Sequence, residues 1–276
     1  MERVLSDEAL AQLMADDVPF GDLTTDLLIN GNQPLRIELG ARYEMTVSGV
    51  EEAARMFELK GATVTVHQQS GATIAAHQPI LTAHGSAHAL FTVWKSAQVL
   101  MEWMSGVASA AKRMVDGAQG TPVACTRKQV PYTKVLSVKA VRSGGAIMHR
   151  LGTSESILVF AEHRQFNPLA PEEMIAFLEQ RSPEHKAIIE VHCVEDAINW
   201  AQAGAAVLQL DKFSPADIAQ CKAYLVEHQL STKLGIAGGV TPENITAFTS
   251  AGADLIVTSY PYYAKPKDVQ VRFFES

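Results

Sequence analysis

Ala187-Ile188-Ile189-Glu190-Val191, then a helical segment, then Ala206-Val207-Leu208-Gln209-Leu210 is the stretch whose reading decides the fold. Both runs are short, apolar and rich in β-branched residues, and the residues between them repeat at helical spacing. The same alternation recurs at Val123 to Thr126, Ile157 to Phe160, Leu234 to Ala237 and Asp254 to Thr258. Strand, helix, strand in steady succession implies parallel strands joined by right-handed crossovers. About six such strands, apolar on both faces, predict an α/β protein whose C-terminal part, residues 105–264, is a parallel α/β barrel. An open doubly wound sheet is the competing arrangement, and it is disfavoured because no dinucleotide-type glycine fingerprint follows any of these strands.

Residues 1–104 mix the two periods. Asp7 to Met14 repeats apolar residues at helical spacing, Leu35 to Val47 alternates like a strand, and Gly49 to Phe57 resumes a helix. Ala62 to His67 and Pro79 to His84 read as short strands, so this part is expected to be an α+β sandwich domain. A long helix from about Ala87 through Met104 to Asp116 joins the two parts, and the tail 265–276 is expected to pack on the first.

Nearly half of the 276 residues are hydrophobic, which predicts a chain folded throughout. A formal net charge of -7 argues against nucleic acid or a membrane surface as the main partner, so any basic site must be local and enclosed. The acidic start Met1 to Glu8 lacks the apolar segment of a signal peptide, and no apolar run is long enough to span a bilayer; a cytoplasmic protein is expected. Cys125, Cys193 and Cys221 are odd in number and widely spaced, which predicts reduced thiols without a disulfide framework or zinc knuckle.

In a barrel the chemistry sits at the C-terminal strand ends. Those ends carry Arg127 and Lys128, Glu190 with His192, Asp211 with Lys212, Gly238-Gly239, and Thr258-Ser259. Adjacent cations ask for an anionic ligand. Two carboxylates on neighbouring strand ends suit sugar hydroxyls or a hydrated Mg2+. Gly238-Gly239 leads into Thr241 and Pro242, read as N-cap and first residue of a helix, where a phosphate could approach backbone N–H groups. A second glycine-bearing loop, Ser143-Gly144-Gly145-Ala146-Ile147-Met148-His149-Arg150, presents an imidazole beside a guanidinium able to grip a carboxylate.

Taken in order, Thr126-Arg127-Lys128, the Gly144-Gly145 to His149-Arg150 loop, Glu190, Asp211 and Gly238-Gly239 resemble the quinolinate phosphoribosyltransferases. Gly21-Asp22-Leu23-Thr24-Thr25 and Ser105-Gly106-Val107-Ala108-Ser109 are similar to two further signatures of that family, so the resemblance covers nearly the whole chain. It implies transfer of phosphoribose from phosphoribosyl pyrophosphate to a pyridine dicarboxylate, with Mg2+, in a dimer. Arg127, His149 and Arg150 are then assigned to the acceptor, and Lys128, Glu190 and Asp211 to catalysis and the donor, the two carboxylates also facing the metal. Ala237, Gly238, Gly239, Thr258 and Ser259 are assigned to the donor's 5-phosphate.

Three positions depart from the family pattern. Lys95 stands where the family lends an arginine from the neighbouring subunit, Phe160 where it has a lysine, and Ala237 where it has a serine. Lys95 keeps a charge and loses the planar fork, whereas Phe160 removes a cation from the acceptor pocket. With the tail Thr258 to Pro266, these changes resemble a branch associated with molybdenum transport, and they imply that specificity has moved away from quinolinate. Two rival readings remain. One is a barrel aldolase or epimerase using Lys128 or Lys212 as a Schiff-base lysine, and the other is a non-catalytic phosphoribosyl-ligand binder linked to molybdenum uptake.

Overall fold

The computed structural model describes residues 1–275. In chain order its elements are α1 (Asp7–Asp17), α2 (Leu23–Leu28), β1 (Pro34–Ala41), β2 (Met45–Thr46), α3 (Val50–Leu59), β3 (Thr63–Val66), β4 (Thr73–Ile74), β5 (Pro79–Ser86) and α4 (Ala87–Gly117). There follow β6 (Val123–Cys125), α5 (Lys134–Ser143), β7 (Ile147–Met148), β8 (Ile157–Val159), α6 (Ala161–Gln165), α7 (Pro171–Arg181), β9 (Ala187–Val191) and α8 (Val194–Gln202). The chain closes with β10 (Val207–Asp211), α9 (Pro215–Glu227), β11 (Lys233–Ala237), α10 (Ile245–Ser250), β12 (Leu255–Thr258), a 3-10 turn over Tyr260–Tyr263, and β13 (Val269–Glu275). Contacts divide it into two units: Met1–Lys112 with Gln129–Gly145 and the tail from Pro261, and Arg113–Lys128 with Ala146–Tyr260. The division therefore falls inside α4, after Lys112, and the segment bearing α5 belongs to the first unit. No helix among the described residues is long and apolar enough to cross a membrane.

In the first unit β1 alternates strictly, with Leu35, Ile37, Leu39 and Ala41 buried. The antiparallel sheet runs β13-β1-β5-β3, so the tail supplies an edge strand, paired from Leu35↔Glu275 to Ala41↔Val269. Phe273 on that strand stacks on Phe91 of α4 at 4.4 Å between ring centroids. The motif Ser105-Gly106-Val107-Ala108-Ser109 has a structural task here. Ser105 and Ser109 hydroxyls accept the backbone N–H groups of Ser48 and Thr46 at 3.0 and 2.9 Å, and a Cβ on Gly106 would lie 2.5 Å from the Lys265 carbonyl oxygen.

A buried ion cluster fastens α5 into this unit. Lys139 Nζ lies 2.6 Å from a Glu52 oxygen and 2.7 Å from a Glu51 oxygen, with Lys139 3% and Glu52 0% exposed. The Val4 N–H donates to Glu52, and the Ser70 N–H and hydroxyl donate to Glu51. Burial alone would raise the Glu51 carboxyl, but the Lys139 and Ser70 hydrogen bonds outweigh it, and the carboxyl is held below its ordinary value. Gly144 seals the C-terminal end of α5. A Cβ there would sit 2.3 Å from the Ala108 carbonyl oxygen, so this glycine, expected to admit a ligand, serves close packing on α4.

The second unit holds a parallel sheet ordered β7-β6-β12-β11-β10-β9-β8. The order is cyclic. First and last of the expected strands pair directly, Val123↔Ile256 through Cys125↔Thr258, as barrel closure requires and as a doubly wound sheet does not. The sheet curls as a half-barrel, and its open seam lies between β7 and β8, which no ladder joins among the described residues. Strand β7 falls in the stretch read as a loop; two residues are too few to show an alternation. The helix after the diglycine begins at Ile245, not at Pro242. Asn244 Oδ1 accepts the Thr241 N–H at 2.8 Å and closes a turn over the residues expected to start the helix.

Removing Lys139 strands two carboxylates in the first unit's interior. Lys139→Met is expected to lower stability by about 3–5 kcal/mol, the usual cost of breaking a buried pair from one side. Urea unfolding followed by circular dichroism measures it, and a loss within about 0.5 kcal/mol, typical of a surface change, would show that the cluster is not structural.

Candidate functional site

Strand periodicity builds the acidic half of the site. The register Gln209↔Glu190 and Leu210↔Val191 puts Glu190, Gln209 and Asp211 on one face of the sheet, while Ile189, Val191, Leu208 and Leu210, all 0% exposed, occupy the other. Gln209 donates to Glu190 at 2.7 Å. His192 spans the two acids, with one ring nitrogen 3.7 Å from Glu190 and the other 3.7 Å from Asp211. Burial, aided by the charge of Asp211, pushes the Glu190 carboxyl up from its ordinary value, even though the Gln209 hydrogen bond opposes the rise.

Asp211 is held by its neighbours on β11. Its register partner is Ala237, and Lys212 donates its N–H to the Ala237 carbonyl at 2.8 Å. Lys212 takes a left-handed φ of 61°, uncommon for a residue with a Cβ. Gly238, at φ 89°, fits beneath it; a Cβ there would lie 2.7 Å from Lys212 Cγ and 2.8 Å from Asp211 Oδ1. Gly239 differs. Its φ is 72° and the space above it is open, so of the two glycines it is the one whose backbone an anion can approach. Because α10 is a six-residue helix that starts at Ile245, six residues after Gly239, any anion there meets loop N–H groups, not a helix end.

The rest of the expected phosphate set divides. Thr258 is one residue past Val257, the register partner of Ala237, so its side chain leaves the opposite face from Asp211. Its hydroxyl donates to the Val240 carbonyl at 3.0 Å and accepts the Tyr260 N–H at 3.0 Å, which fixes the turn where a phosphate contact was expected. Ser259, beside it, is half-buried.

The basic half lies at the seam. A cavity of about 850 Å³ is lined by Arg127, Arg150, Phe160, Glu162 and His163, among others, and extends to α7. Arg150 is 8% exposed, and its guanidinium is 5.9 Å from the Phe160 ring centroid and 3.4 Å from the Ser156 carbonyl. Burial, and then the charge of Arg127, press the Arg150 pKa down, which places two like charges close together. Among the described residues neither guanidinium forms an ion pair. Phe160 opens α6, donating its N–H to His163 Nδ1 at 2.9 Å and stacking on that ring. His149 is half-buried beside Arg150, its pKa lowered by burial and then by that cation.

Lys128 is exposed and does not line this cavity, and neither do His149, Glu190 or Asp211. Two links nevertheless join the halves. The charge of Glu162 is felt at Glu190, and Arg164 of α6 donates to the Glu190 carbonyl while pairing with Asp196 at 3.2 Å. Glu162, His163 and Arg164 were not anticipated as site residues; their only signal was their place directly after a strand. Lys95 lies in the first unit, exposed on α4, bonded to Gln98 at 2.9 Å and set over the Trp94 ring. Neither lysine of the Schiff-base reading is desolvated: Lys128 is exposed, and the Lys212 side chain is 80% exposed.

For a metal, the described residues offer no group of three His, Cys, Asp or Glu side chains. Glu190 and Asp211 are a two-carboxylate set. That suits Mg2+, which keeps waters and takes other ligands from substrate phosphates, and does not suit a metal caged by protein alone.

Comparison with known proteins shows the family and the fold. Residues 22–105 match the family model described as quinolinate phosphoribosyl transferase, N-terminal domain, and residues 107–272 match its C-terminal domain. The chain is 42% identical over 254 residues to "Putative pyrophosphorylase ModD" of Rhodobacter capsulatus, covering 90% of this chain and 98% of the relative. It is 35% identical over 276 residues to the protein of the same name from an Escherichia coli O127:H6 strain, covering 97% and 96%. The solved nicotinate-nucleotide pyrophosphorylase of Francisella tularensis shares the fold at TM-score 0.89 over 99% of this chain and 98% of that one, with 20% identity.

Burial works against the ionised form of Glu190. Its raised pKa means that the folded protein binds a proton more readily than the unfolded chain, so above both values the ionised carboxylate lowers stability. Glu190→Gln, which keeps an acceptor for Gln209, is expected to raise the melting temperature of the ligand-free protein at pH 7. The gain should fade as pH falls from the raised folded-state value towards the ordinary carboxylate value, and a variant no more stable at pH 7 would contradict the assigned cause.

Proposed function

From the premise that the chain belongs to the quinolinate phosphoribosyltransferase family, we propose that it transfers phosphoribose from phosphoribosyl pyrophosphate to a carboxylated aromatic acceptor, releasing pyrophosphate, with specificity moved away from quinolinate. The observation that carries the proposal is the unpaired Arg127–Arg150 couple in a cavity adjoining the Glu190–Asp211 carboxylates. Arg150 is buried and forms no ion pair among the described residues, with the exposed Arg127 at the same cavity, and an anionic acceptor bonded to both relieves the cost of that unpaired charge.

In this reading a ring nitrogen of the acceptor forms a bond to the anomeric carbon as the bond from that carbon to the pyrophosphate oxygen breaks, its electron pair leaving with pyrophosphate. Arg127 and Arg150 orient the acceptor through its carboxylate. Glu190 and Asp211 face the ribose and stabilise the positive charge that develops on it, and Lys128 meets the donor's phosphates. Mg2+, bound through waters to Glu190 and Asp211, would supply charge neutralisation for the departing pyrophosphate. Gly239 admits the 5-phosphate to the loop backbone. The missing hydroxyl at Ala237 leaves that phosphate one donor fewer than in the family pattern. Lys95 serves the acceptor site of a second copy in the dimer that family membership implies.

The reading is tested by a pyrophosphate-release screen with phosphoribosyl pyrophosphate, Mg2+ and a panel of pyridine and fused-ring carboxylates. Turnover is expected with at least one acceptor other than quinolinate, and Arg127→Ala should lower kcat/KM by about 10²-fold or more, the scale of losing an oriented charged contact. Saturable donor binding without release for any acceptor would sink the transferase reading, and full activity in Arg127→Ala would sink the site.

A further inference from the structure

We infer that the acceptor is an aromatic monocarboxylate with an apolar extension beyond a single ring, its carboxylate at Arg127, Arg150 and Ser156 and its far edge against Met174, Phe177 and Leu178. This rests on the transferase reading for the word acceptor, and on the cavity alone for the ligand's chemistry. Three observations point the same way.

The first is charge. Arg127 and Arg150 are the Lys and Arg side chains of this chain that line the cavity, Glu155 and Glu162 share its wall, and a Lys95 lent by a second copy would leave one positive charge for one carboxylate to neutralise. A second carboxylate would exceed that charge and meet repulsion from Glu155 and Glu162 or the apolar Phe160 ring.

The second is an orphan donor. Ser156 Oγ is buried and has no hydrogen-bond partner among the described residues, and the carbonyl of the same residue accepts from Arg150 Nη1 at 3.4 Å. A hydroxyl buried without a partner is costly, and rotation of the Ser156 side chain towards the cavity that the residue lines would let it donate to an acceptor atom brought in beside Arg150. The ligand's one carboxylate offers that atom.

The third is shape. Phe160 is a fixed flat wall, stacked on His163 at 5.6 Å with 22° between the rings and tied to it by the 2.9 Å bond from its N–H to Nδ1. Aromatic rings favour such a wall. Beyond it the cavity runs to Met174, Phe177 and Leu178 of α7, where Phe177 is 44% exposed in the free protein. At about 850 Å³ the space exceeds what one six-membered ring fills.

Titration calorimetry without donor tests the inference with three probes: quinolinate, nicotinate and a quinoline monocarboxylate. The quinoline monocarboxylate should bind most tightly and quinolinate least, with at least about tenfold between them. Ser156→Ala should weaken both monocarboxylates by about fivefold, the scale of one hydrogen bond. Phe177→Ala, at a position 44% exposed, should weaken the fused-ring probe more than nicotinate. Phe160→Lys should move the preference towards quinolinate. Quinolinate binding as tightly as the fused-ring probe, or equal losses for both monocarboxylates in Phe177→Ala, would overturn the inference. The expected order without pyrophosphate release would support it while removing the transferase reading alone.

Discussion

Everything at the candidate site depends on the two-residue period of a parallel strand. Along β9 and β10 the odd and even positions part, so Ile189, Val191, Leu208 and Leu210 are buried on one face while Glu190, Gln209 and Asp211 stand on the other. A one-residue slip would bury both carboxylates in the apolar layer and expose the leucines. Burial of four such side chains, each contributing about 1.5–3 kcal/mol, therefore holds the acids at the strand ends as firmly as it holds the fold. The raised Glu190 carboxyl is the local cost of that placement.

The two charge clusters of the chain have opposite character. Lys139 with Glu51 and Glu52 is enclosed and fully bonded, with Val4 and Ser70 meeting the remaining carboxylate oxygens. It fastens the segment Gln129–Gly145 into the first unit. The residues on either side of that segment, Arg127 and Lys128 before it and His149 and Arg150 after it, belong to the second unit and are those assigned to ligands. Satisfied charge does structural work here, while among the described residues Arg127 and Arg150 line a cavity without forming an ion pair.

Several motifs that marked the family are structural in their local chemistry. Asp22 caps α2, accepting the N–H groups of Thr24 and Thr25 at 3.1 Å each. Ser105 and Ser109 satisfy buried backbone groups, Gly106 and Gly144 permit close approach, and Gly238 makes room for Asp211 and Lys212. Gly239 alone among these keeps open space above its backbone. Such residues are strongly constrained by packing, which makes them good signatures of a fold and poor guides to a ligand.

By itself the sequence determined the α/β class, the parallel strands, the antiparallel first part and the polar residues at the strand ends, because hydrophobic periodicity and turn residues act over a few neighbours. It also located Arg127, Arg150, Glu190 and Asp211, which follow apolar runs. It did not reveal β7, the late start of α10, the commitment of Thr258, or the place of Glu162, His163 and Ser156 around the cavity. Those follow from contacts between residues far apart in the chain. The pairing of β6 with β12 closes the cycle and leaves the seam beside β8, and that seam is where two arginines, an orphan hydroxyl and an aromatic wall meet. Local spacing carries no information about which strand ends become neighbours; the tertiary register alone decides it.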